Sequence, residues 1–330
     1  MKGFSDRFED FPDYILKITE EIWEGRQFAS PHHCYAPDII MRSTSGIVRG
    51  NEGVIDDTMA TLAECPDRQL YGEDVIWCGD AEAGFLSSHR IISTGTQTGY
   101  GGFGAPTGKS FVIRAIADCA AKDGVIHDEW LTRDESGLAL QLGLDPAELA
   151  RQRIAEEGGP ARATRPFRPE DDIAGPYTGT GNDDEWGHRL ADILRQIMQK
   201  DISVVRRAYD RAAHIAHPGR RDGLSWRFAE TEWMRLRSAF PSARFTVDHR
   251  IGRADPGQPY RAAVRWSLNG RHDGLGAFGS PTGAPVHVMG FTHAEFGPRG
   301  LNREYTLFDE VAIWKQIHLH TGAAEPSDAG

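Results

Sequence analysis

The sequence predicts an α+β fold written twice, each copy a cone of helices packed on a curved antiparallel sheet. Three observations predict it. First, the stretch 95–108 returns as 270–283 at an offset of 175, where Gly95, Gly99, Gly101, Phe103, Gly104, Pro106, Thr107 and Gly108 meet Gly270, Gly274, Gly276, Phe278, Gly279, Pro281, Thr282 and Gly283. Second, the same register holds without a gap on both sides. Met59, Pro66, Asp80 and Arg90 meet Met234, Pro241, Asp255 and Arg265, and Glu129, Asp134, Glu135 and Gln141 meet Glu304, Asp309, Glu310 and Gln316. So long a period means duplicated domains and not a solenoid. Third, helical spacing gives way in each copy to strand alternation.

In chain order, residues 1–11 are polar and read as a loose arm. Pro12 suits a first helical turn, Ile15, Ile18 and Ile22 follow at helical spacing, and Gly25 is the stop. A short helix is expected over 27–36. An extended segment then follows from Tyr35, because the residue before Pro37 avoids the helical region. Ile55, Met59 and Leu62 mark a further helix. Strands are expected over 70–79, 84–97, 109–122 and, after the turn at Asp123-Gly124, 125–133. The Gly/Pro-rich stretch at 95–108 therefore joins two long strands. No helix start follows it, as a phosphate loop requires, so it reads as hairpin geometry.

Domain 1 is expected over 12–157, closing with a helix from Leu144. A linker rich in Gly and Pro follows over 158–185, and domain 2 over 186–320. The second copy opens with Leu190, Ile193, Leu194 and Ile197 at helical spacing and a second helix to about Tyr209. Trp233, Leu236 and Phe240 share a face of helix 226–240, and strands follow at 243–252, 259–269, 284–296 and 300–308.

Composition narrows the function classes. At 330 residues each half can bury its own core. A net charge of −11 with no Lys/Arg-dense stripe argues against nucleic acid. The four cysteines, Cys34, Cys65, Cys78 and Cys119, form no close pair and have no counterparts in the second half, as expected of free thiols in a reducing compartment. No apolar run reaches the roughly 18 residues of a membrane span, and no signal-peptide core is evident. A soluble, cytoplasmic protein is the expectation.

Gly-Thr-Gln-Thr-Gly at 95–99, Gly-Ala-Pro-Thr-Gly-Lys at 104–109, and Asp-Gly-Val-Ile-His-Asp-Glu-Trp at 123–130 with Asp134 four residues on resemble the SnoaL-like polyketide cyclases of the NTF2-like superfamily. The likeness covers about 14–143 well and about 188–318 more weakly. It implies a cone whose open end is an apolar pocket, often holding an acid/base carboxylate. It also implies sheet-to-sheet pairing, which a tandem copy would supply within one chain as a pseudo-dimer. Reaction does not follow from fold, because this superfamily hosts cyclases, isomerases, dehydratases, lyases and binding modules.

The resemblance aligns the family's Glu and Trp with Asp128 and Trp130, so the face carrying Ile126, Asp128 and Trp130 is expected to look into the cone. Asp128 is then the candidate acid/base group, with a pKa raised by an apolar setting. Asp118, on the same face of its strand as Arg114, is a candidate hydrogen-bond donor beside it. The plainer reading is an Arg114–Asp118 surface pair. His89 is the third catalytic candidate, opposed by an ordinary core role. Glu129, retained as Glu304, faces the other way and reads first as an inter-strand or interface ion pair, second as the functional acid. Asp134 and Asp309 read as helix caps.

Candidate substrate contacts are Trp130, Arg114, Trp77, and His32 and His33 on the lid side, with a helix-end surface pair as the alternative for the two histidines. The second copy replaces Asp128 by Arg303, Trp130 by Tyr305, Asp118 by His293 and His89 by Val264. It is therefore expected to be degenerate, or else to bind an anion through Arg303, His293 and Tyr305. His318 and His320 lack a third ligand at a recognisable spacing, so no metal is expected. The reading is a cofactor-free acid/base enzyme acting on a small, largely apolar carbonyl compound. Its alternative is a non-catalytic small-molecule binding or protein-interaction module.

Overall fold

The computed structural model of the chain describes residues 1–322. Two compact units emerge, the first taking residues 1–133, 141–143 and 167–182 and the second 134–140, 144–166 and 183 onward. The segment expected as a linker is thus shared out: 167–182 belongs to the first unit and the part before it to the second.

In the first unit α1 (Phe11–Trp23) starts where the Asp10 side chain accepts the Asp13 N–H, and it buries Phe11, Tyr14, Ile15, Ile18 and Ile22 on one face. After the single turn α2 (Pro31–Cys34), shorter than expected, come β1 (Tyr35–Ser43), β2 (Gly46–Arg49) and α3 (Gly50–Glu64). Four long strands follow: β3 (Gln69–Asp80), β4 (Gly84–Thr96), β5 (Ser110–Lys122) and β6 (Val125–Arg133). Their order in the sheet is β2-β1-β6-β5-β4-β3. The sheet is mixed and not purely antiparallel as expected, because β1 lies parallel to β6. Helix α1 packs across β3 and β4, and α3 packs on β1.

One irregularity decides which side chains face inward. Ala120 on β5 opposes Asp128, but the next residue, Ala121, opposes Ile126, so His127 is an extra residue in β6. A bulge of this kind resets the alternation of a strand. Beyond it Glu129, Leu131 and Arg133 share the concave face with Ile126, and Asp128 and Trp130 turn to the other side.

The second unit repeats the plan. It opens with α4 (Glu135–Leu142, whose last residues lie with the first unit), α5 (Pro146–Glu156), α6 (Glu185–Met198) and α7 (Ser203–Ala208). These lead into β7 (Tyr209–His217), β8 (Arg221–Leu224) and α8 (Trp226–Ala239). There follow β9 (Arg244–Arg253), β10 (Tyr260–Arg271), β11 (Pro285–Gly297), β12 (Gly300–Phe308) and α9 (Glu310–Thr321). Strand order β8-β7-β12-β11-β10-β9 mirrors the first sheet element for element. Even the bulge recurs, with Asn302 as the extra residue between Leu301 and Arg303. Asp134 and Asp309 cap α4 and α9 by accepting the N–H groups of Gly137 and Ala312, as expected.

The duplicated Gly/Pro stretch is structural in both units. Gly104 and Gly279 sit at φ of 82° and 76°, where only glycine is unstrained. A side chain on Gly99 or Gly274 would strike the carbonyl of Ala63 or Ser238 near the end of the underlying helix. In the first unit the Glu64 carboxylate accepts the N–H groups of Gly102 and Phe103, at 3.1 and 3.0 Å. An acid already fills the place a phosphate would take. No described helix is long and apolar enough to cross a membrane.

Candidate active site

Between α1, α3 and the concave face of the first sheet lies a cavity of about 70 Å³. A water needs only about 10–15 Å³, so several waters or a small ligand fit. Its walls are apolar: Ile15, Ile18 and Ile22 from α1, Val54 from α3, and Met41, Ile91, Ala115, Ala117 and Leu131 from the strands. Into it converge Glu129, Tyr35, His89, Ser93, Arg68, Asp57 and Arg133.

Glu129 is the chemically exposed group of this set. Its side chain is 7% accessible, and Oε2 has no hydrogen-bond partner among the described residues. Burial pushes its pKa up to about 7, against the opposing pull of Arg133 and a hydrogen bond from Tyr35. It therefore exchanges protons near neutrality inside an apolar enclosure, as a carboxyl acting on carbon acids must. His89 faces the same cavity, and burial drives its pKa down to about 4, so it is neutral at pH 7. The neutral ring offers one donor and one acceptor nitrogen, and Nδ1 lies 3.4 Å from Ser87 Oγ. Arg68 is held in place by its Nε bond to Ser93 Oγ, 2.9 Å, and by the Trp23 and Phe111 rings it lies over.

The expectation for Asp128 is overturned. It does not line the cavity and is wholly buried on the opposite side of β6. There Oδ1 accepts Arg42 Nη1 at 2.9 Å, while Oδ2 accepts the Tyr177 N–H at 2.9 Å and lies 3.0 Å from His127 Nδ1. Burial works to raise its pKa, but these hydrogen bonds and the Arg42 charge outweigh it and hold the carboxyl below its ordinary range. Trp130 shares that side, under the Arg42 guanidinium and against Tyr177. The 167–182 segment supplies much of this setting, since Arg42 also bonds Asp172 and the Ile173 carbonyl. Gly175 passes so close to the Asp128 carboxylate that any Cβ would collide with it.

The other candidates disperse. Asp118 is buried opposite Ser88 and Trp130, on the side away from the cavity. Arg114 pairs with Glu73, which also binds Arg90, and the plain reading of an Arg114–Asp118 surface pair does not fit an Asp118 that is buried. Trp77 packs edge-on against Phe11 and beside Phe85 and does not reach the cavity. His32 is exposed and bonds Glu52 at 2.7 Å, and His33 is exposed. Of the three catalytic candidates the structure brings only His89 to the cavity. Glu129, first read as an ion pair, is there in place of Asp128. Tyr35, Asp57 and Arg133 went unnoticed; Tyr35 and Tyr209 hold equivalent places opposite Ile126 and Leu301, but one residue off the register that relates Glu129 to Glu304.

In the second unit the same positions are filled. Thr58 and Ile91, which line the cavity, correspond at the offset of 175 to Trp233 and Trp266, both fully buried in the core. Glu304 is held by Tyr209 Oη, by His217 Nε2 at 2.8 Å, by Thr306 Oγ1 at 2.8 Å and by Trp233 Nε1 at 3.4 Å. Burial alone would raise its pKa, yet these partners lower it. Arg303 is half exposed with Glu295 at 3.7 Å, whereas His293 and Tyr305 are buried. These three do not assemble an open anion pocket.

Residues 4–142 match the model of the family described as SnoaL-like polyketide cyclase. No curated protein matches the chain. Among solved structures, IdmH from Streptomyces antibioticus is 25% identical, covering 40% of this chain and 98% of its own, with a TM-score of 0.36. TsrD from Streptomyces laurentii is 24% identical over 40% of this chain and 93% of its own, TM-score 0.35. AclR from Streptomyces galilaeus is 20% identical over 40% and 94%, TM-score 0.35. The family match thus covers residues 4–142, and the second unit repeats the strand order of the sheet they form.

Proposed function

We propose that the first unit is a cofactor-free acid/base enzyme acting on a small, largely apolar carbonyl compound, with Glu129 as the proton-transferring group. One observation carries this reading: a buried carboxyl with an unpartnered oxygen faces a recessed apolar cavity and ionises near pH 7. Ionised Glu129 takes a proton from the carbon next to the carbonyl and charge moves to the carbonyl oxygen. His89, neutral and on the same concave face, is a candidate to donate a hydrogen bond there. Returning the proton at another atom gives isomerisation, and trapping the enolate with a second carbonyl gives aldol ring closure. Dehydration and retro-aldol cleavage need the same groups.

The test is proton–deuterium exchange next to the carbonyl of a panel of small alkyl and aryl ketones in D₂O, followed by NMR. Wild-type protein should catalyse exchange and Glu129→Gln should not. Ligands that bind without exchange would instead support the non-catalytic binding module.

A further inference from the structure

Arg133 has no task within the fold. It ends β6 on the concave face, in line with Glu129 and Leu131, and lines the same cavity. Its side chain makes no ion pair or hydrogen bond with any described residue, and it attracts the Glu129 carboxyl through space. The other guanidinium at the cavity, Arg68, is by contrast bonded to Ser93 and set over two aromatic rings. In the second unit, where the interior is filled and Glu304 is already bonded by His217, the position of Arg133 is taken by Phe308. Charge at this position accompanies an open cavity and is lost where the cavity is closed.

We propose that Arg133 is a specificity residue that docks a carboxylate on the substrate, so that the first unit takes carbonyl compounds bearing a carboxylate several bonds from the reacting carbon. The inference rests on the reading of Glu129 as the acid/base group. Spacing argues for a separate anionic group over the enolate itself. Four strand residues put the two Cα atoms about 13 Å apart, at roughly 3.3 Å each, and the Arg133 guanidinium, though it attracts the Glu129 carboxyl, stays beyond ion-pair distance of it. An enolate oxygen sits one bond from the carbon next to the one deprotonated, too close to Glu129 to lie on a guanidinium at the far end of the strand. A substrate that reaches from one to the other must be elongated, with an apolar middle to match Leu131, Ile91 and Ala117. An arginine left unpaired beside a ligand-sized space is suited to planar, two-point recognition of a carboxylate.

The experiment uses the full chain with 5-oxohexanoate and its methyl ester as matched probes, binding measured by calorimetry. Wild type should bind the acid at least tenfold more tightly than the ester. Arg133→Gln should bind both alike, with its fold checked by circular dichroism, and Arg133→Lys should restore part of the preference. Equal binding of acid and ester by wild type, survival of the preference in Arg133→Gln, or binding of neither probe would each overturn the proposal. Deuterium exchange on the same samples reads Glu129 separately. An acid preference without exchange upholds Arg133 and rejects the catalytic reading, whereas exchange without an acid preference does the reverse.

Discussion

Glu129 and Glu304 occupy the same position of the two repeats, and their carboxyls are held in opposite states. Glu304 is bonded by Tyr209, His217, Thr306 and Trp233, and its pKa is lowered. Glu129 keeps one oxygen without a partner, and its pKa is raised to about 7. A half-satisfied buried carboxyl costs stability, so a fold that keeps one beside a cavity points to chemistry there. The repeat that fills its cavity with Trp233 and Trp266 has also settled its carboxylate.

Glu129→Gln should abolish deuterium exchange, a fall of about 10²–10⁴-fold, the usual worth of one general acid/base group. Asp128→Asn removes a neighbouring carboxylate that faces the other way. Exchange per folded molecule should fall much less than in Glu129→Gln. Equal losses in the two variants would mean that the bulge does not separate their roles.

Activity should rise with pH through about 7, because Glu129 must be ionised to accept a proton. The titratable and charged groups that share the cavity with it are Tyr35, Asp57, Arg68, His89, Cys119 and Arg133. Tyr35 and Cys119 are pushed far above their ordinary ranges by burial, and His89 lies near 4, so none of these three adds a step near neutrality. Arg133 favours the ionised form, so Arg133→Gln should move the rising limb to higher pH. A pH–rate profile of kcat/KM for both proteins checks the sign.

The Asp128–Arg42 pair should show itself in stability. Both side chains are buried, 0% and 2% accessible, and Asp128 holds β6, β1 and the 167–182 segment together. Asp128→Asn strips Arg42 of its buried counter-charge, leaving it the half-exposed Asp172, and should cost about 3 kcal/mol in urea unfolding at pH 7. Because the Asp128 pKa is lowered in the fold, its contribution is present above the unfolded carboxyl value of about 4 and is lost as pH falls below it. The stability gap between wild type and variant should therefore narrow in acid.

Much of this architecture was legible because a duplicated sequence reports its own spacing. The recurring Gly/Pro stretch, the four long strands of each unit and the caps at Asp134 and Asp309 all stand where residue patterns put them. The site was less legible, and one residue is the reason. Alternation along 125–134 puts Asp128 with Ile126, but the extra residue His127 breaks the count and hands the concave face to Glu129. A bulge leaves no signature in side-chain period, since it is set by pairing with β5 and β1, both distant in sequence. The retained pair Glu129/Glu304 carried the missing signal. Strand β1 was legible as the extended segment from Tyr35, whereas four-residue β2 escaped because it is too brief to show a period.

The two glutamates should answer the same substitution with opposite signs. The folded pKa of Glu129 lies near 7, above the unfolded value of about 4.3. Between those values the unfolded chain has released the proton and the folded chain has not. Stability therefore falls as pH rises through this window and stays reduced above it. Glu129→Gln removes that penalty, so the variant should be more stable than wild type at pH 8, by about 1–3 kcal/mol, with little difference at pH 4.5. Glu304→Gln instead breaks the pair with His217 and turns an amide donor toward groups that already donate, Tyr209 and Trp233. It should destabilise the second unit by about 3–5 kcal/mol. Hydrogen exchange resolved by strand reads each unit separately, with protection gained on β4–β6 in the first variant and lost on β10–β12 in the second. Destabilisation by both substitutions at pH 8 would mean that Glu129 is a satisfied structural carboxylate, and the acid/base reading would go with it.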